Sequence, residues 1–95
     1  RSEELEGVLN NLNYVVDSLV IEDSDALVAL IYPDYPKASQ NGMDGAQLEA
    51  HLCSLLPHVN KELPSYAHIK KFEFMPEDFE RTPKRSIKRY IYQRK

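Results

Sequence analysis

The first part of the chain carries the hydrophobic spacing of a short amphipathic helix. Four apolar residues recur at intervals of three and four, which aligns side chains along one face of an α-helix. They are Leu5, Val8, Leu9 and Leu12. Ser2 is suited to cap this helix, and the carboxylates of Glu3 and Glu4 favour the positive end of its dipole. We therefore predict a helix that begins near Ser2 and ends in the asparagine-rich stretch 10–13.

Two apolar runs follow, at residues 14–21 and 26–32, with the polar stretch 22–25 between them. Runs rich in β-branched and aliphatic residues on either side of a short polar turn predict an antiparallel hairpin. Nearly every position in both runs is apolar, so we expect these strands to be covered on both faces, with helices packed on them.

Helical spacing returns after residues 32–45, which we predict to be a loop because they are rich in Pro, Ser, Asn and Gly. The apolar residues of this second helical pattern are Leu48, Leu52, Leu55, Leu56, Val59 and Leu63. Pro57 interrupts the pattern, and a proline inside a helix removes a hydrogen bond and clashes with the preceding turn. We therefore expect a kink or a fresh helix start near Leu55 and Leu56.

Residues 69–75 alternate the charged Lys71 and Glu73 with the aromatic Phe72 and Phe74, which predicts a third strand with one buried face. The order of elements is then helix, hairpin, helix, strand and C-terminal tail. This order indicates a compact α+β domain, with a small three-stranded sheet that includes a hairpin and is packed by helices.

Length and composition exclude several classes of protein. The chain has 95 residues, enough for one domain, and its 42% hydrophobic and 28% charged residues argue against wholesale disorder or a disulfide scaffold. Its single cysteine, Cys53, cannot form an internal disulfide, which favours a reducing, cytoplasmic compartment. No apolar run approaches the roughly 20 residues that span a bilayer, so we expect no transmembrane segment. The chain begins with Arg1 and not Met, which suggests a piece of a longer or processed protein.

The net charge of −3 conceals two oppositely charged regions. Residues 68–95 hold nine basic residues (Lys and Arg) and four acidic residues (Asp and Glu). Residues 1–67 hold three basic and eleven acidic residues. A basic segment on an acidic body predicts contact with an anion, such as a phosphate, a nucleotide, a nucleic acid or an acidic partner surface.

A metal site and a cysteine nucleophile are both poorly supported. His51 and His58 are seven residues apart with Cys53 nearby, but Pro57 breaks the helical geometry and the paired spacings of zinc ligands are missing. We predict no metal site, solvated histidines, and a buried, inert thiol at Cys53.

Several motifs occur in the order found at the end of AMP-forming acyl-CoA synthetases of the adenylate-forming superfamily, where L-P-x-Y, a strand and T-P-x-x-K-x-x-R follow one another. The pieces are Leu63-Pro64-Ser65-Tyr66, Ile69-Lys70-Lys71-Phe72-Glu73-Phe74, Thr82-Pro83 and Lys88-Arg89. The acidic helix start and the hairpin are also similar, so the resemblance covers essentially the whole chain. Residues 79–83 and 88–90 most resemble the long-chain fatty acid branch.

This resemblance implies that residues 1–95 are a C-terminal lid domain, whose partner is an N-terminal ATP-binding domain of the same chain that this sequence lacks. The lid closes for adenylation, in which a fatty acid carboxylate attacks the α-phosphate of ATP, and then reorients for thioester formation with coenzyme A. ATP and coenzyme A are then substrates, with Mg²⁺ held with ATP in the missing domain. The fragment alone is expected to bind none of them and to be inactive as a ligase, and no nucleic acid partner is expected.

One departure from the family pattern concerns its catalytic lysine. The lysine position falls on Ser86, and the glycine that often precedes it is Arg85. In an extended segment, side chains two residues apart share a face, which groups Lys84, Ser86 and Lys88. We therefore predict Lys88, with Lys84 as its substitute, as the catalytic cation, and Arg85 and Arg89 as substrate-binding residues.

Other interpretations stay open at this point. The charge run is also compatible with a solvated surface, and Tyr90 and Tyr92 lie among the cations, where they could stack on RNA bases. The alternatives are thus a stand-alone anion- or RNA-binding module, and a lid that is retained only for interaction after losing adenylation. The acyl chain specificity cannot be read, because its pocket belongs to the missing domain.

Overall fold

A mixed three-stranded sheet organises the fold. The computed structural model describes residues 2–94, so Arg1 and Lys95 lie outside the described residues. Strands β1 (Val15–Asp23) and β2 (Ala26–Pro33) form an antiparallel hairpin, and β3 (Ile69–Phe74) lies parallel to β2, which is the central strand. The predicted hairpin, third strand and α+β class are confirmed.

Four α-helices occur among the described residues: α1 (Ser2–Asn10), α2 (Tyr35–Gln40), α3 (Gly45–Ser54) and α4 (Leu56–Lys61). The helix predicted near the start of the chain is confirmed as α1. The break at Pro57 is also confirmed, because α3 ends before Leu55 and Pro57 lies in the first turn of α4. A proline is tolerated there because the first N–H groups of a helix have no partner within the helix.

The predicted loop at residues 32–45 is wrong in part, since α2 lies within it. The Asp34 side chain accepts a hydrogen bond from the Lys37 N–H at 3.0 Å, and Pro36 lies in the first turn of α2. Aspartate before proline is a helix-start signal as well as a turn signal. The many turn-forming residues of this stretch favoured a loop prediction over this helix-start signal.

The two faces of the sheet are covered by different parts of the chain. The helices cover one face, where Leu9, Leu48 and Leu52 are fully buried against sheet residues that include Ala29 and Ile31. The opposite face is covered by residues 75–94, which we call the C-terminal segment. Its contributions to that second core are Met75, Phe79, Ile87 and Tyr92. The expectation that both faces are covered is confirmed, but the second cover consists of this segment and not of helices.

Cys53 is exposed on α3, so the expectation of a buried thiol is wrong. Partial desolvation and the nearby Glu49 carboxylate raise the pKa of this thiol, which keeps it protonated and weakly nucleophilic. Within residues 2–94, no group of three or more His, Cys, Asp and Glu could hold a metal ion. The same residues include no helix long and apolar enough to cross a membrane.

Candidate functional site

The predicted site residues Lys84, Arg85 and Lys88 lie in a tight loop, residues 82–88, which we call the cationic loop, and Arg89 directly follows it. Arg81 and Ile87 form an antiparallel bridge across its base. Inside it, the Thr82 N–H donates to the Ser86 carbonyl, and the Arg85 N–H donates to the Thr82 carbonyl, each at 2.8 Å. The segment is therefore a closed turn, and the expectation of an extended tail is wrong.

The turn changes which cations can share a face. Lys84 lies in the turn, so the alternation of an extended strand does not relate it to the residues that follow. Ser86 and Lys88 flank Ile87, whose side chain packs into the second core. Of the predicted grouping, the two-residue spacing of Ser86 and Lys88 about the bridged residue Ile87 remains.

Arg85 adopts a left-handed backbone conformation, with φ of +72°. For a residue with a side chain, this conformation costs roughly 1–2 kcal/mol, which is why glycine usually occupies such positions. Arg85 is also the residue at the glycine position of the family pattern. The backbone here thus has the shape that a glycine in that position would favour.

Arg81 anchors the first end of the cationic loop to the sheet. Its Nη2 atom donates to Asp17 Oδ2 on β1 at 2.5 Å and to Asp78 Oδ1 at 3.1 Å. Its Nη1 atom donates to the Arg85 carbonyl at 3.0 Å. Hydrogen bonds to Asp78 and Asp17 raise the pKa of Arg81, and the bond from Arg81 lowers the pKa of Asp78. Charge-assisted bonds of this kind are stronger than neutral ones and hold the loop base on β1.

Arg89 anchors the other end of the loop to α1. Its two terminal nitrogens donate to the two Glu6 oxygens at 2.9 and 2.5 Å, and the bond to Glu6 raises the pKa of Arg89. Glu6 is buried, and its Oε2 also accepts the Val20 N–H at 2.8 Å, on the open edge of β1. Arg89, predicted to bind substrate, is thus placed in a bidentate pair with a carboxylate of the chain itself.

The three cationic residues within the loop differ from the two arginines that anchor its ends. Within residues 2–94, the side chains of Lys84, Arg85 and Lys88 form no ion pair. Lys84 and Arg85 are exposed and Lys88 is half-buried, with its N–H donated to the Glu80 carbonyl at 2.8 Å. The loop therefore presents positive charge to solvent from a base held by two arginines.

A cleft of about 370 Å³ separates the loop from α1. Its charged lining alternates in sign, with carboxylates and guanidinium groups from Glu3, Glu6, Asp17, Arg81, Arg85 and Arg89. A polyphosphate inside this cleft would face three carboxylates, which oppose its charge. The exposed cations of the loop are better placed to contact a polyanion outside the cleft.

The anchoring residues Glu6, Asp17 and Arg81 were not singled out by the sequence. The only signal that could have indicated them is the charge asymmetry, because an acidic body and a basic C-terminal segment can neutralise each other. Arg94 follows the same rule, since it pairs with Glu73 at 2.8 Å and with Asp23 at 3.1 Å. Part of the basic charge thus stabilises the chain and does not face a ligand.

Comparison with known proteins identifies the fold. A scan against models of protein families finds no match, and a search of curated proteins finds none either. Solved structures do match. The adenylation domain of a carboxylate reductase from Mycobacterium chelonae superposes with a TM-score of 0.75 and 20% identity, over 95% of this chain and 15% of that chain.

Two further solved structures show the same likeness. An acyl-CoA synthetase from Brucella canis matches with a TM-score of 0.70 and 21% identity, over 97% of this chain and 16% of that chain. A fatty acyl CoA synthetase from Mycobacterium tuberculosis matches with a TM-score of 0.60 and 22% identity, over 96% of this chain and 16% of that chain. The chain therefore spans about one sixth of these larger proteins and shares the fold of that part of them.

Proposed function

We propose that this chain is the C-terminal lid domain of an AMP-forming acyl-CoA synthetase of the long-chain fatty acid branch, active in the cytoplasm. The fold likeness to adenylate-forming enzymes, over nearly all of this chain and a small share of theirs, supports a domain of that superfamily. The motif resemblance from residue 63 to residue 90 supports the finer assignment.

The observation that carries the proposal is the backbone of Arg85. The motif alignment puts a glycine at this position from sequence alone, and the φ of +72° is a conformation that glycine favours. The backbone conformation of Arg85 is therefore consistent with the proposed alignment of residues 82–89. The same alignment puts Ser86 at the position of the catalytic lysine.

In this mechanism the carboxylate oxygen attacks the α-phosphorus of ATP and displaces pyrophosphate. The sulfur of coenzyme A then attacks the acyl carbon and displaces AMP. A cation near the bridging oxygens stabilises the charge that develops in the first step, most strongly in a closed site that excludes water. Ser86 cannot supply it, so Lys88, with Lys84 as substitute, takes this role. Arg85 contacts the phosphates, and Mg²⁺ enters with ATP bound to the other domain.

The test uses the protein encoded by the whole gene, beside the 95-residue chain. The longer protein should form acyl-adenylate and pyrophosphate from ATP and a long-chain fatty acid, and the 95-residue chain alone should not. Fatty acid-dependent production of AMP by the 95-residue chain would contradict the proposal, as would a gene without an ATP-binding domain. Tight binding of RNA with a steep dependence on salt would instead support the alternative module.

A further inference from the structure

We infer that Arg81 is a positioning residue for adenylation, which sets the conformation of the cationic loop without contacting substrate. This inference rests on the proposed function. It goes beyond it, because the family resemblance assigns no role to Arg81 and the sequence did not single it out.

The backbone of the loop needs an external contact to keep its shape. A left-handed residue that is not glycine persists when the surrounding structure holds it in place. The Arg81 Nη1 atom bonds to the carbonyl of that residue, Arg85, at 3.0 Å. The same carbonyl belongs to the peptide unit that joins Arg85 to Ser86, so this contact fixes where the family's lysine position begins.

The anchor on the other side of Arg81 is firm. Asp17 Oδ2 accepts from Nη2 at 2.5 Å, and only 22% of each of the Arg81 and Asp17 side chains is exposed. Asp17 is itself held in place, because its Oδ1 atom accepts hydrogen bonds from Asn10 Nδ2 at 3.1 Å and from the Ser18 N–H at 2.8 Å. Arg81 therefore transmits the position of β1 and α1 to the carbonyl of Arg85.

A lysine at position 81 cannot do the same. The planar guanidinium donates in several fixed directions at once, here to Asp17, to Asp78 and to the Arg85 carbonyl, whereas an ammonium is a point charge on a flexible stem. The substitution Arg81→Lys keeps the charge and removes this geometry. Arg94→Lys is the matched control, since Arg94 also bonds to two carboxylates, those of Glu73 and Asp23, and neither lies in the cationic loop.

The first measurement needs no activity. In the 95-residue chain, ¹⁵N relaxation should give order parameters near 0.85 for residues 84–86 in the wild type and in Arg94→Lys, and below about 0.6 in Arg81→Lys. A second variant, Asp17→Asn, weakens the anchor while keeping Arg81 and should loosen the same residues. Unchanged order in both loop variants overturns the inference, and the thermal midpoints of all variants establish that they fold.

The second measurement uses the longer protein. Arg81→Lys should slow acyl-adenylate formation by about tenfold to a hundredfold through the turnover number, as expected for a misplaced catalytic group. Thioester formation from supplied acyl-adenylate should change little, and so should both steps in Arg94→Lys. Equal rates in Arg81→Lys and Arg94→Lys overturn the inference alone. A wild-type protein that forms no acyl-adenylate overturns the proposed function, and the inference falls with it.

Discussion

At the scale of single residues, the cations in and beside the cationic loop are of two kinds. Some stabilise the chain through ion pairs, and others remain available to bind an anion. Arg81 and Arg89 bond to carboxylates of β1 and α1, whereas Lys84 and Lys88 make no ion pair within residues 2–94. The two groups have the same formal charge and lie in one short stretch, where Arg81 and Arg89 flank Lys84 and Lys88. Arg85 also makes no ion pair within residues 2–94, so being an arginine is not enough to make a residue an anchor.

Arg85→Gly should stabilise the 95-residue chain. Glycine removes the conformational penalty of roughly 1–2 kcal/mol that a left-handed backbone imposes on the folded state. It also gives the unfolded chain more conformational entropy, which lowers the free energy of unfolding by about 0.4–1 kcal/mol. We expect the free energy of unfolding in urea to rise by about 0.5–1 kcal/mol. Lys84→Gly, at a neighbouring loop position without positive φ, is the control and should lower the free energy of unfolding by a similar amount. A loss of equal size in both variants would mean that Arg85 is not strained.

Lys88→Ala should slow adenylation in the longer protein by roughly a hundredfold, the usual scale for loss of one preorganised charge contact. Lys88 is two residues from Ser86 and forms no ion pair within residues 2–94, so its charge remains available to a phosphate. Thioester formation from supplied acyl-adenylate should be much less affected. The assignment is wrong if neither Lys88→Ala nor Lys84→Ala changes adenylation while Ser86→Lys accelerates it.

At the scale of elements, α3 shows how one helix face joins the core. The capping box of Asp44 and Gln47 starts the helix, with the Gln47 N–H donated to Asp44 Oδ1 at 2.8 Å. Leu48 and Leu52 lie one turn apart and are fully buried, whereas Cys53, beside Leu52, is exposed. The spacing of the leucines thus sets which face of α3 packs on the sheet.

Truncation of Leu52 to Ala should cost about 2–5 kcal/mol in the free energy of unfolding, because it leaves a cavity in a closely packed core. Cys53→Ala on the same helix is the control, and its effect should stay within about 0.5 kcal/mol, as for most surface substitutions. Chemical denaturation of both variants measures the difference. A loss below about 1 kcal/mol for Leu52→Ala would contradict the packing of this face.

At the scale of the whole molecule, the C-terminal segment closes the second face of the sheet and is held there by ion pairs. Its apolar residues cover β1 and β2, and Arg81, Arg89 and Arg94 tie it to carboxylates of the remaining chain. The cationic loop is therefore part of the folded unit. Its position depends on contacts between the two ends of the sequence, such as that between Glu6 and Arg89.

This arrangement predicts a loss of stability in acid. Hydrogen bonds and charges, from Arg94 first and then from Lys71, lower the pKa of Glu73 from the ordinary 4.5 to about 2, against a smaller opposing effect of desolvation. Between these values the unfolded chain binds more protons than the folded chain, so the free energy of unfolding falls as the pH falls from about 4.5 to about 2. Arg94→Gln should raise the Glu73 pKa, measured by NMR titration, and should flatten this part of the stability profile. An unchanged Glu73 pKa would contradict the contact.

The sequence alone was sufficient to predict the elements whose signals are local. Apolar spacing at Leu48 and Leu52, two β-branched runs around a polar turn, and Pro57 within a helical pattern each depend on neighbours a few residues away. These signals were enough for α1, the hairpin, the break between α3 and α4, β3 and the α+β class. The order of motifs was enough to propose residues 82–89 as a candidate site.

The shape and the anchors of this candidate site depend on contacts between distant parts of the chain. The pairs Arg81 with Asp17 and Arg89 with Glu6 join residues more than 60 positions apart, and no local pattern states which carboxylate a given guanidinium will meet. The turn at Arg85, the helical start at Asp34 and the exposure of Cys53 also depended on packing that the sequence does not state. Long-range contacts select among local conformations of similar energy, so the sequence could indicate which residues form the loop but not its shape or its anchors.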